Sequence, residues 1–247
     1  MGYISGLGII GFFLCAKPGD FTVSQRQYQS GGATILIDVY TPRTAGAHPP
    51  VLVLHGAGGM LFDGPEMSRV SRDLARAGFE AYQVHYFDRT HTWFARQAVL
   101  LKLFPVWRET VHDAVEWVRA ERPDARAVGI FGYSLGAFAG IEEARRNPSV
   151  GAVVEQAGGF WHGHPEGPTR QPLPPTLLIH GLNDRRVPYE KYAVPLLAYL
   201  RAHHERFETR FYPAEGHDFS APANAKVRAQ AVNFFRRELP DGRQGDD

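Results

Sequence analysis

Ala127-Val128-Gly129-Ile130-Phe131-Gly132-Tyr133-Ser134-Leu135-Gly136 is the stretch that decides the fold. The apolar run Ala127 to Phe131 has strand character, and a helix-like segment follows Gly136 as far as Asn147-Pro148. A serine at a sharp strand-to-helix turn projects its hydroxyl above the sheet. Glycines two residues before and after it remove the side chains that would collide in so tight a turn. The helix behind the serine aims its N-terminal N–H groups at it, where they stabilise negative charge.

The same alternation extends to both sides. Ile35 to Tyr40 reads as an early strand closed by Thr41-Pro42. Pro50 to His55 is apolar on both faces, the pattern of a fully buried strand. Met67, Val70, Leu74 and Ala77 recur at helical spacing and stop at Gly78, a good C-cap. Ala81 to Tyr86 is the next strand, and Trp107, Val111, Ala114 and Val118 mark a second amphipathic helix. Val150 to Val154 and Thr176 to His180 are two more buried strands. Val194 to His203 has helical character, with Pro195 implying a start or a kink. Phe207 to Tyr212 is a last strand, and Val227, Ala231, Phe234 and Phe235 mark a final helix. Such alternation predicts one doubly wound, mostly parallel sheet with helices on both faces, in which ligands bind at the carboxyl ends of the strands.

Composition narrows the class. The 247 residues are 44% hydrophobic and 21% charged, ordinary for a globular chain with a sizeable core. The 27 basic and 26 acidic residues nearly cancel, which leaves no basic footprint for nucleic acid. The single cysteine, Cys15, excludes an intrachain disulfide and a cysteine metal cluster. His203-His204 and His162-Gly163-His164 match no metal-ligand spacing, so no metal is expected. Residues 1–19 hold an apolar stretch, Tyr3 to Ala16, that is too short to span a membrane. It has the length of a signal-peptide core but no preceding Lys or Arg, so both a cytoplasmic and an exported location fit it. The expected domain covers 20–239, and 240–247 reads as a disordered tail.

A serine hydroxyl is a weak nucleophile until a base, usually a histidine oriented by a carboxylate, takes its proton. Two later loops carry those groups. Asp184 follows the buried strand Leu177-Leu178-Ile179-His180, and His217 lies in a Gly-His loop after the last strand. Asp218 is a rival acid, but a neighbour in sequence cannot easily orient the His217 ring. Glu155, after the strand that follows the serine helix, is a second rival. Acyl transfer also needs donors for the oxyanion. One is the N–H of Leu135, and the other comes from His55-Gly56-Ala57-Gly58-Gly59, with Ala57 the first choice and Gly58 the second.

Together these segments resemble the α/β-hydrolase superfamily, and within it the dienelactone hydrolase family. The residues that carry the resemblance are Val51 to Gly56, Phe131 to Gly136, Leu178 to Asp184 and Tyr212 to Phe219, with Tyr86 to Thr90 similar to a segment of some members. The likeness spans about residues 20 to 238. It implies a single-domain α/β-hydrolase fold, a Ser134-His217-Asp184 triad and no cofactor. Dienelactone-cleaving members use a cysteine nucleophile where this chain has Ser134. That difference turns the expectation towards a serine esterase of the wider family, acting on small or medium esters or lactones. Arg89 is the candidate for a substrate carboxylate, and Trp161 for an apolar acyl pocket. The proline-rich stretch Pro165 to Pro175 reads as a loop over the site. Two other readings stand beside this one. One is a serine peptidase similar to the prolyl oligopeptidase catalytic domain, against which the lack of acidic residues for a peptide amine counts. The other is a non-catalytic binding protein on the same fold.

Overall fold

A computed structural model of the chain describes residues 19–164 and 172–239. The apolar N-terminal stretch, the tail from Pro240 and most of the Pro165 to Pro175 loop lie outside the described residues. Eight strands form one sheet: β1 (Phe21–Ser30), β2 (Ala33–Pro42), β3 (Pro50–Leu54), β4 (Glu80–Val84), β5 (Val128–Tyr133), β6 (Val150–Gln156), β7 (Thr176–Gly181) and β8 (Phe207–Tyr212). Their order is β1-β2-β4-β3-β5-β6-β7-β8. β1 and β2 run antiparallel at one edge, and every pair from β4 to β8 is parallel.

The helices are α1 (Gly59–Phe62), α2 (Gly64–Arg76), α3 (Gln97–Glu121), α4 (Leu135–Ala144), α5 (Tyr189–Ala202) and α6 (Ala221–Glu238). Alternation along the strands divides the core into two layers. Leu52, Leu54, Ile130, Val153 and Leu178 pack against α3, α4 and α5. Val51, Val53, Phe131, Val154, Leu177 and Ile179 pack against α2 and α6. Each fully buried Val, Leu, Ile or Phe stabilises the fold by about 1.5–3 kcal/mol. Because both faces of the central strands are covered, their sequences are continuous apolar runs.

Three departures from the sequence reading have physical causes. β1 is an edge strand exposed along most of its length, so its sequence Phe21-Thr-Val-Ser-Gln-Arg-Gln-Tyr carries no apolar alternation. It is held instead by pairing with all of β2 across Gly31-Gly32, whose φ angles of 53° and 81° suit a two-residue hairpin turn. α3 starts ten residues before Trp107 and runs through Pro105. α5 starts at Tyr189 and contains Pro195. A proline inside a helix removes one N–H, in α5 the donor that Lys191 O would otherwise meet. The next carbonyl, Tyr192 O, accepts the Phe160 N–H at 3.3 Å, which ties α5 to the loop after β6.

Candidate active site

Ser134 sits between β5 and α4 with φ 52° and ψ −115°, a conformation few non-glycine residues adopt. The turn is fixed by its surroundings. Ser134 N–H donates to Gln156 O at 2.8 Å, and Ala137 N–H donates to Ser134 O at 2.9 Å. A Cβ on Gly132 would come within 2.6 Å of Ala137 N and Cα. One on Gly136 would lie 2.5 Å from Leu54 O and 2.6 Å from His55 O. Both glycines are therefore required by close approach of backbone, as the sequence pattern implied.

The loops after β7 and β8 bring Asp184 and His217 to this serine. With Nδ1 of His217 protonated, it donates to Asp184 Oδ2 at 2.7 Å, and Nε2 accepts from Ser134 Oγ at 2.9 Å. All three side chains are buried. Burial works to raise the Asp184 pKa, but the hydrogen bond from His217 and backbone N–H groups of Val187 and Arg186 hold it below the usual carboxylate value. Buried His180 lies beside this carboxylate and is bonded to the Val187 carbonyl. Its Nε2 lies 2.9 Å from Val187 O and 3.6 Å from Asp184 Oδ2.

The rival acids lie elsewhere. Asp218 accepts from Tyr133 Oη at 2.9 Å and pairs with Arg186, turned to the rim of the site. Glu155 is fully buried and accepts the Gly158 N–H at 2.9 Å.

The loop after β3 lies on the other side of Ser134. His55 is fully buried, and burial pushes its pKa down to about 3, so its ring is neutral. It stacks on Tyr86 at 4.1 Å, and Tyr86 Oη donates to His55 O at 2.6 Å. Ala57 O accepts the Ala95 N–H at 2.8 Å. Gly58 N–H donates to Asp63 Oδ2 at 2.9 Å. Leu135 opens α4, so its N–H is among the helix's free N-terminal donors.

Above Ser134 is a cavity of about 850 Å³. Ala57, Gly58, Leu135 and Trp161 all line it, and its apolar wall is built from Phe94, Leu100, Leu101, Phe138 and Tyr192. Trp161 stacks on Phe104 at 4.1 Å and meets Phe138 edge-on at 5.2 Å. Arg89 does not join them. Its guanidinium covers Gly31 of the β1–β2 turn, donates to Ser30 Oγ at 3.2 Å and pairs with Glu109 at 2.9 Å. It braces the hairpin and lies outside the cavity. Sequence reasoning missed Asp63, Phe138 and Tyr192, because an aspartate before Gly-Pro reads as a helix cap and aromatics at helical spacing read as core.

Among the described residues no helix is long and apolar enough to cross a membrane. The dienelactone hydrolase family model matches residues 37–237. No curated protein matches the chain. Among solved structures, the chain is similar to the dienelactone hydrolase-like promiscuous phosphotriesterase P91 from metagenomic libraries, with 19% identity, TM-score 0.76, and 90% of this chain and 100% of that one covered. It is similar to dienelactone hydrolase from Anabaena variabilis, with 22% identity, TM-score 0.64, and 89% and 99% covered. It is also similar to the acylaminoacyl peptidase of Pyrococcus horikoshii, with 16% identity and TM-score 0.69, where 92% of this chain matches 43% of that one. These structures share the fold, and the family match covers most of the chain: this hydrolase belongs to the dienelactone hydrolase family.

Proposed function

We propose that the protein is a serine hydrolase that cleaves carboxylic esters or lactones of small to medium size through an acyl-enzyme. The observation that carries this reading is the continuous relay from Ser134 Oγ through His217 to Asp184, with links of 2.9 and 2.7 Å, at the floor of an apolar-walled cavity. Ser134 attacks the ester carbonyl while His217 Nε2 takes its proton. Asp184 fixes the ring tautomer and stabilises the imidazolium. The oxyanion is met by the N–H groups of Leu135 and Ala57, since Gly58 N–H is taken up by Asp63. His217 then protonates the leaving alcohol, and afterwards activates water to release the acid. In this reading Gly58 and Trp161 border the substrate, and Arg89 has no contact with it.

Turnover of 4-nitrophenyl butyrate by the wild type and Ser134→Ala tests the proposal. Loss of turnover in the variant, together with fluorophosphonate labelling of Ser134 in the wild type, is expected. Equal rates would sink the mechanism.

A further inference from the structure

Asp63 stands at the joint between α1 and α2, the place from which an aspartate side chain usually caps the following helix. Its backbone serves both helices. Asp63 N–H donates to Gly59 O, and Asp63 O accepts from the N–H groups of Glu66 and Met67. Its side chain makes no cap bond to α2. It turns back to the loop after β3 and accepts the Gly58 N–H at 2.9 Å.

There the carboxylate and the nucleophile crowd the same glycine. A Cβ on Gly56 would lie 2.7 Å from Asp63 Oδ2 and 3.1 Å from Ser134 Cβ, and one on Gly58 would lie 2.5 Å from Asp63 Oδ1. Asp63 is half-buried and lines the catalytic cavity. Among the described residues the acids beside it are paired, Asp218 with Arg186 and Glu66 with Arg69 and Arg228. Asp63 instead spends its carboxylate on the Gly58 amide.

We propose that Asp63 both positions the oxyanion loop and selects against negative charge. Through Gly58 it sets the direction of the preceding Ala57 N–H. Its own charge weakens the hold on a carboxylate at the oxyanion loop, the acid product above all, while the cations Arg96, Arg186 and Lys191 also line the cavity. This rests on the ester-cleaving reading above. An anionic acid is born at Ser134 in each turnover, and the Asp63 carboxylate beside the oxyanion loop, whose pKa burial holds above the ordinary value, weakens its hold there when ionised. Beside the oxyanion loop this favours an uncharged acyl part.

The test uses Asp63→Asn and Asp63→Ala with 4-nitrophenyl butyrate as substrate and butyrate as inhibitor. Asparagine keeps an oxygen for the Gly58 N–H and loses the charge. The inhibition constant for butyrate is expected to fall about tenfold or more in Asp63→Asn. In Asp63→Ala, kcat is expected to fall roughly ten- to a hundredfold with little change in KM, and Asp63→Asn to recover most of that loss. Equal butyrate inhibition of wild type and Asp63→Asn overturns the charge selection. Wild-type kcat in Asp63→Ala, or equal loss in both variants, overturns the positioning. If alanine prevents folding, the asparagine comparison still decides. If the wild type cleaves no ester, the ester-cleaving reading fails, and calorimetry of butyrate on wild type and Asp63→Asn reads the charge effect separately.

Discussion

At Ser134 the strained backbone and the three-residue relay are two sides of one constraint. The turn holds φ at 52° because Gly132 and Gly136 let two backbones meet behind it. Adding a methyl at Gly136 drives it into Leu54 O and His55 O, so Gly136→Ala is expected to destabilise the protein by at least about 1–3 kcal/mol, read from its urea midpoint. An unchanged midpoint would show that the β3 loop can yield. The relay answers to a different change. Asp184→Asn retains an acceptor for the Arg186 and Val187 N–H groups but no longer enforces the His217 tautomer. The proposed mechanism then loses roughly a thousandfold or more in kcat with the melting temperature little altered. A variant within a few-fold of wild type would remove Asp184 from the mechanism.

At the scale of elements, the cavity is a joint product of the first turns of α3 and the loop after β6. Leu100 and Leu101 come from the one and Trp161 from the other, locked between Phe104 and Phe138. If this wall receives the acyl chain, each added methylene should raise kcat/KM by about fourfold until the wall is reached. Trp161→Ala should move that limit to longer esters. A chain-length profile from acetate to octanoate that is the same in both proteins would exclude Trp161 from the acyl pocket. These elements also show what a sequence can and cannot disclose. Most of the strands from β3 to β7 are legible because burial on two faces writes an apolar run, and Ser134 and Asp184 each follow such a run, whereas His217 follows β8, a half-exposed edge strand read from its flanking aromatics Phe207, Phe211 and Tyr212. β1 is not legible, since an exposed edge strand is specified by its partner and a glycine turn. The starts of α3 and α5 are obscured by internal prolines that tertiary packing tolerates. Arg89 looked like a site residue for the same reason: its true partner is the hairpin turn that β1 concealed.

For the whole molecule, one buried group makes stability depend on pH. Glu155 lies in the central sheet with no exposed surface, and its carboxyl has the Gly158 N–H as a partner while Oε1 has none among the described residues. Burial pushes its pKa from the ordinary 4.5 up to about 8. Between those two values the folded protein holds a proton that the unfolded chain has already released. The stability linked to Glu155 is therefore fully present below about pH 4.5 and is lost as pH rises towards 8, by up to about 1.4 kcal/mol per pH unit. Glu155→Gln removes the titration while keeping the side chain's size. Urea midpoints of wild type and variant, measured from pH 5 to pH 9, should diverge in the variant's favour as pH rises and run parallel above about pH 8. Parallel curves across the whole range would mean that Glu155 is ionised in the folded protein at neutral pH. The charge would then lie near Ala137 in the first turns of the helix that follows Ser134, because a Cβ on Gly158 would meet both Ala137 Cβ at 2.5 Å and Glu155 Oε2 at 2.8 Å. Activity of the same variant against pH would follow the stability difference only if that helix shifts when the carboxyl ionises.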